Sequence, residues 1–255
     1  MFNDKLIELP DYGRLIVVSD IHGNFDDYQR YVNLWDESDP DFHIVFLGDL
    51  IHSSEKEDGS IEILDDAIEK SKCPNFHVLL GNHEWAHIVN NEIYRGNEEL
   101  TRQFEILVSH KKGFIEPSLT NYIKFFKTMP YFVKTANGLF LSHSGPSDKV
   151  RLIEVFEKMI GDGYLSPILE DFLWNRYNSS TDYTKNDIVN FLEVIGSKYM
   201  VIGHNPLESY KIYGRQMILS SSFGTKVKTY LDIDLSKEIN SMKDVQRQLK
   251  FIHKV

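Results

Sequence analysis

The order of apolar runs along the chain predicts an α/β half followed by a mixed α+β half. Three features predict it. Short β-branched runs alternate with amphipathic helical stretches up to about residue 80, an Asn-Gly pair sits between two apolar runs near residue 137, and a late run alternates apolar with polar residues. With 255 residues, 42% of them hydrophobic and 13% aromatic, the chain has apolar material for one substantial core, and it reads as a single domain over 1–255.

The runs at 14–19, 42–47 and 76–80 each end in small or polar residues, as strands buried on both faces do. Between them, 24–35 places Phe25, Tyr28, Tyr31, Val32 and Trp35 on one helical side, and 60–71 places Ile61, Leu64, Ala67 and Ile68 there. The opening is therefore βαβαβ. In the second half, 131–135 and 139–142 flank Asn137-Gly138, a dipeptide suited to a tight hairpin turn. A second hairpin turns at Tyr213-Gly214, a strand is expected at 199–202, and 228–235 reads as a strand with one wet face. Helices are expected at about 98–110, 118–127, 148–160 and 185–196. No linker, low-complexity tract or repeat interrupts this order.

Composition narrows the partners. A formal net charge of -10 argues against gripping a polyanion, because nucleic-acid affinity comes mainly from Lys and Arg replacing condensed counterions. The single Cys73 cannot form an internal disulfide, Met1-Phe2-Asn3-Asp4-Lys5 lacks a secretory pattern, and no apolar run approaches bilayer length. The expected setting is soluble, reducing and cytoplasmic, with no membrane partner.

The polar residues of interest follow the strands. They are Asp20-Ile21-His22-Gly23-Asn24, Gly48-Asp49, Gly81-Asn82-His83-Glu84, Ser142-His143-Ser144-Gly145 and Gly203-His204-Asn205. In open α/β sheets ligands bind beyond the carboxyl ends of the strands, so these blocks have one address despite their separation in sequence. Hard oxygen mixed with imidazole suits Mn, Fe or Zn. Two such ions about 3.5–4 Å apart can clamp the attacking and leaving oxygens of a phosphoryl transfer, with one carboxylate bridging them.

With these blocks in view, the chain resembles the calcineurin-like metallophosphoesterases, and within them the PPP-type phosphatases. That group's signatures are GDxHG, GDxxDRG, GNHE, HGG and a late histidine; this chain has SDIHGN, GDLIHSSE, GNHE, SHSGP and GHNP in the same order. The resemblance runs from about Leu15 to about Asp234. It implies two mixed β-sheets flanked by α-helices and two divalent cations, Mn first, Fe or Zn as alternatives. Asp20 and His22 would hold the first ion, Asp49 would bridge, and Asn82, His143 and His204 would hold the second. His83 would protonate the leaving oxygen, a task suited to an imidazole.

The second block departs from the family. Its Asp and Arg fall on His52 and Ser53, so the partner of the acid and one phosphate-gripping arginine are both missing. Arg176, in Phe172-Leu173-Trp174-Asn175-Arg176, resembles the segment near the family's second phosphate-binding arginine and is the candidate clamp, with Asn82 beside it. His52 is the candidate partner of His83. The substrate is expected to be a phosphate ester, a phosphomonoester by preference, on a small molecule or a phosphoprotein.

Two other classes fit parts of the sequence. His83-Glu84-Trp85-Ala86-His87 matches the HExxH pattern of zinc metalloproteases, but that motif belongs inside a helix, and His83 follows the strand directly, which places it in a strand-to-helix loop. The missing DRG tripeptide also suits a protein that binds phosphate ligands without turnover. Other features take plain readings. His43 and His77 begin strands, His110 and His253 lie in charged surroundings, Glu55-Lys56-Glu57-Asp58 is a solvated loop, and 85–127 forms helices over or beside the cleft.

Overall fold

The computed structural model describes residues 4–53, 57–113, 115–177 and 182–252; the readings of His253 and of Glu55-Lys56 lie outside them. The chain opens with β1 (Leu6–Leu9), β2 (Arg14–Val18), α1 (Phe25–Val32), β3 (Phe42–Phe46), α2 (Ser60–Lys70) and β4 (Phe76–Val78). Next come α3 (Asn82–Val89), a small hairpin of β5 (Tyr94–Arg95) and β6 (Glu98–Glu99), α4 (Leu100–Lys112) and α5 (Ile115–Thr128). The hairpin β7 (Phe132–Thr135) and β8 (Leu139–Ser142) precedes α6 (Ile153–Asp162), α7 (Pro167–Trp174) and α8 (Lys185–Ile195). The last elements are β9 (Tyr199–Ile202), β10 (Tyr210–Tyr213), β11 (Gln216–Leu219), β12 (Lys228–Asp234), α9 (Met242–Arg247) and β13 (Leu249–Ile252).

Two mixed sheets carry the architecture, with strand orders β13-β12-β2-β3-β4 and β1-β7-β8-β9-β11-β10. β2, β3 and β4 run parallel, as the predicted βαβαβ opening requires. β8, β9 and β11 run parallel in the other sheet. Side-chain alternation explains why these strands look uniformly apolar. Leu15, Val17, Val45 and Leu47 face Leu139, Leu141, Val201 and Leu219 between the sheets, while Ile16, Val18, Ile44 and Phe46 turn the other way, toward Tyr28, Tyr31, Leu64 and Ala67 of α1 and α2. On the second sheet's outer face Phe132 and Phe140 pack against Phe156, Phe172 and Phe191 from α6, α7 and α8. The helix–sheet–sheet–helix layering matches the expected fold class.

Boundaries differ where local pairing competes with helical periodicity. The helix expected from 98 starts at Leu100, because Glu98 and Glu99 pair with Arg95 and Tyr94 in the small hairpin. The helix expected from 148 starts at Ile153. α7 was not anticipated, although Ser166 caps it by accepting the Ile168 N–H and Pro167 occupies its first turn. β1, α9 and β13 were missed too, and β1 and β13 are edge strands of the two sheets. Among the described residues, no helix is long and apolar enough to cross a membrane. For the site, one property matters most: the turns after β2, β3, β4, β8 and β9 meet at one end of the sandwich.

Candidate active site

Backbone geometry comes first, because five short turns must aim their side chains at one point. His22, Asp49, His52 and His204 all have positive φ, between 47° and 67°, a left-handed conformation that costs a non-glycine residue about 1 kcal/mol or more. Such strain concentrates where the surroundings over-determine it. Here Glu84 does so: completely buried, it accepts the Asp49 N–H at 3.0 Å, the Leu50 N–H at 2.8 Å and the Ile51 N–H at 3.4 Å. Burial, with Asp49 nearby, pushes its carboxyl up to about 7. Two glycines allow the close approach of the turns. A side chain at Gly81 would collide with the Asp49 carboxylate, and one at Gly203 with that of Asp20.

The side chains then converge. His22 Nε2 lies 3.9 Å from Asp20 Oδ2 and 3.6 Å from Asp49 Oδ2. His143 Nε2 lies 3.5 Å from Asp49 Oδ2, 2.9 Å from Asn82 Oδ1 and 3.1 Å from His204 Nδ1. The Asp20 carboxylate accepts the His204 backbone N–H at 2.8 and 3.1 Å, tying the first turn to the last. Asp20, His22, Asp49, Asn82, His143 and His204 are thus brought together, all buried.

Hydrogen bonds at the far side of two rings define their tautomers. A carbonyl only accepts, so His22 Nδ1–H donates to Ile51 O at 3.0 Å and His143 Nδ1–H donates to Leu47 O at 2.8 Å. Each neutral ring therefore turns a lone pair on Nε2 toward carboxylate and amide oxygens. Such a gathering of acceptors in a buried pocket is unfavourable until a cation enters it. Without one, burial and the Asp20 charge push the Asp49 carboxyl well above the usual carboxylate range. Burial above all takes His22 down to about 4, against the pull of Asp20 and with smaller pushes from Arg95 and His143. Two donor groups share Asp49, one with His22 and His83 and one with His143 and His204, and each has its donor atoms within 4.8 Å of one another. The residues fit two cations.

His83 sits in the first turn of α3, not in a loop as expected, because Gly81 already starts the helix from an extended backbone. Its Nε2 lies 3.8 Å from Asp49 Oδ2, and its Nδ1 lies 2.7 Å from His52 Nδ1. His52 Nε2 in turn meets His87 Nε2 at 2.9 Å. The HExxH spacing does place His83 and His87 on one helical face, but they meet His52 there, and the Glu84 carboxylate is engaged by three backbone N–H groups. That arrangement cannot serve as a protease site. Burial and the neighbouring imidazoles hold both His83 and His52 well below the ordinary histidine value.

A cleft of about 290 Å³ opens onto this centre, lined by His22, Asp49, Asn82, His83 and His204 together with Arg95, Trp174, Arg176 and Phe223. Arg176, the candidate clamp, is among the residues that line this cleft. Arg95 and Phe223 were not singled out beforehand, and His87 only as the second histidine of the HExxH pattern. Only His87 had a usable signal, its four-residue spacing from His83; nothing local marks Arg95 or Phe223 as facing the cleft.

A family model described as calcineurin-like phosphoesterase matches residues 13–219. The chain belongs to this family. It is a metallophosphoesterase, a hydrolase of phosphoric esters, from a family that works with two divalent cations. No curated protein sequence matches the chain. Solved structures do. A protein serine/threonine phosphatase from Saccharomyces cerevisiae with similarity to human phosphatase PP5 is 16% identical at a TM-score of 0.72, covering 98% of this chain and 84% of that one. A cold-active protein-tyrosine phosphatase from a psychrophilic Shewanella is 17% identical at 0.59, covering 91% and 80%. A protein assigned provisionally as a diadenosine tetraphosphatase is 15% identical at 0.52, covering 93% and 99%. At such identities these neighbours show the shared fold.

Proposed function

We propose that this metallophosphoesterase hydrolyses phosphomonoesters, with Asp20, His22 and Asp49 holding one divalent cation and Asp49, Asn82, His143 and His204 the other. The observation that carries this reading is the fixed tautomers of His22 and His143, which aim lone pairs at a carboxylate they have in common, Asp49. When bound, the two cations acidify a water and withdraw charge from the phosphoryl oxygens. Mn is the first choice, with Fe or Zn as alternatives, for a donor set that mixes carboxylate, amide and imidazole.

The chain's own residues do the rest. Arg176 lines the cleft and supplies fixed positive charge for the phosphate. His83 Nε2 faces the cleft, where it gives a proton to the departing ester oxygen. The three-imidazole chain supports that role in one tautomer set: His83 Nδ1–H donates to His52 Nδ1, and His52 Nε2–H donates to His87 Nε2. Every ring nitrogen between the three is then paired, and His83 is free to carry its second proton on Nε2. The size of the cleft suits a phosphoryl group with a compact leaving group rather than a whole dinucleotide.

Metal-stripped protein reloaded with Mn, Fe or Zn and offered p-nitrophenyl phosphate and bis-p-nitrophenyl phosphate tests this. Mn-dependent release of p-nitrophenol, faster from the monoester and absent in Asp49→Asn, is the expected result. An Asp49→Asn variant with near-normal rate would sink the bridging assignment, and a faster diester would overturn the substrate class.

A further inference from the structure

The second block of the sequence lacks its phosphate-gripping arginine, and Ser53 in its place carries no charge. We propose that Arg95, on the hairpin between α3 and α4, is the missing clamp and binds the substrate's phosphate together with Arg176. This rests on the phosphoesterase reading and extends it to a residue outside the family's sequence blocks.

Arg95 lines the same cleft as His22, Asp49, His83 and Arg176. Its guanidinium lies over the ring of Phe223, 4.7 Å from the centroid, and that ring packs edge-on against His22 at 4.5 Å. The cation is thus held next to a metal-site imidazole. One terminal nitrogen, Nη2, donates weakly to the His52 carbonyl at 3.4 Å. The other, Nη1, is buried with no partner. A buried guanidinium N–H without an acceptor is costly, and a phosphate offers the acceptor oxygens this planar fork matches.

The hairpin that presents Arg95 is firmly tied to the site. Ile93 and Leu100 at its base pack with Ala86 of α3 and with Trp174, two residues before Arg176. The Ile93 N–H donates to Thr101 Oγ1 at 3.0 Å, and Leu100 N–H donates to Ile93 O at 2.8 Å. One apolar knot therefore connects the helix that carries Asn82 and His83 to both arginine-bearing segments. Strand alternation completes the placement: Tyr94 is exposed, and Arg95 faces inward.

Calorimetric titration of Mn-loaded protein with inorganic phosphate reads the clamp without turnover. Arg95→Ala is expected to weaken phosphate binding by about 10- to 100-fold, the loss typical of a charge-assisted hydrogen-bonding pair, and to raise the KM for p-nitrophenyl phosphate in parallel. Arg95→Lys keeps a cation over Phe223 but not the planar fork, so it recovers part of that loss; it also serves if the alanine variant fails to fold. Phosphate bound by Arg95→Ala or Arg95→Lys as tightly as by wild type would overturn the proposal. So would a Mn-loaded wild type that binds no phosphate. Wild type that binds phosphate through Arg95 yet releases none from esters would leave the clamp standing and remove the phosphoesterase reading.

Discussion

His83 illustrates how one substitution in a catalytic block changes its neighbours' chemistry. A carboxylate beside an imidazole stabilises the protonated ring by charge, whereas His52 offers a neutral lone pair at 2.7 Å and depends on His87 for its own orientation. In the acid role proposed for it, His83 is well positioned but poorly stabilised in its charged form. Its contribution therefore depends on how much the leaving group needs a proton. His83→Ala is expected to slow phenyl or alkyl phosphates by about 100-fold or more, and p-nitrophenyl phosphate, whose leaving group departs as a stable anion, by less than about 10-fold. Rates measured across a series of leaving groups check this, and equal losses throughout would remove the acid role. His52→Phe, which fills the space between His83 and His87 without a ring nitrogen, is expected to reproduce the same trend more weakly.

At the level of elements, the cleft depends on loops whose anchors lie far away in sequence. The turn that carries Phe223 is tied to α1 through Asp27, a buried carboxylate that accepts from Ser222 Oγ at 2.6 Å and pairs with Lys228. The Tyr31 hydroxyl donates to Ser221 O at 2.6 Å, and Ser19 and Ser221 exchange hydrogen bonds at 2.8 and 3.0 Å. Removing one member of such a buried pair leaves the other uncompensated. Asp27→Ala is expected to lower unfolding free energy by about 3 kcal/mol, read from the urea midpoint at constant slope. These links also show what sequence could and could not disclose. The βαβαβ opening, the Asn137-Gly138 hairpin and the convergence of Asp20, His22, Asp49, Asn82, His143 and His204 were legible, because burial on both faces and strand-end turns each leave a local pattern. The β5–β6 hairpin was not. Its strands have only two residues each, and its inward-facing arginine looks like any surface charge until Ile93, Leu100, Ala86 and Trp174 come together. Likewise the place of His83 within α3 was misjudged, because the helix starts at Asn82 without a side-chain cap to announce it.

For the molecule as a whole, the site sets catalysis against stability. The two sheets hold two buried carboxylates and the lone pairs of three imidazoles in one pocket, an arrangement that the protein without cations can only resist. Cations that bind the folded form alone add RT ln(1 + [L]/Kd), about 2.7 kcal/mol at a hundredfold excess over Kd. At about 2–4 °C per kcal/mol for a chain of this size, stripping the metal is expected to lower the melting temperature by about 5–10 °C. The sign for the bridging residue then reverses with metal content. Asp49→Asn removes one buried charge from the cluster while keeping the shape, so in chelator it is expected to melt above wild type. With Mn present it loses the shared ligand and is expected to melt below. Four thermal melts, each protein with chelator and with Mn, decide the matter. If the two proteins keep the same order in both conditions, the pocket is not organised around a cation at Asp49.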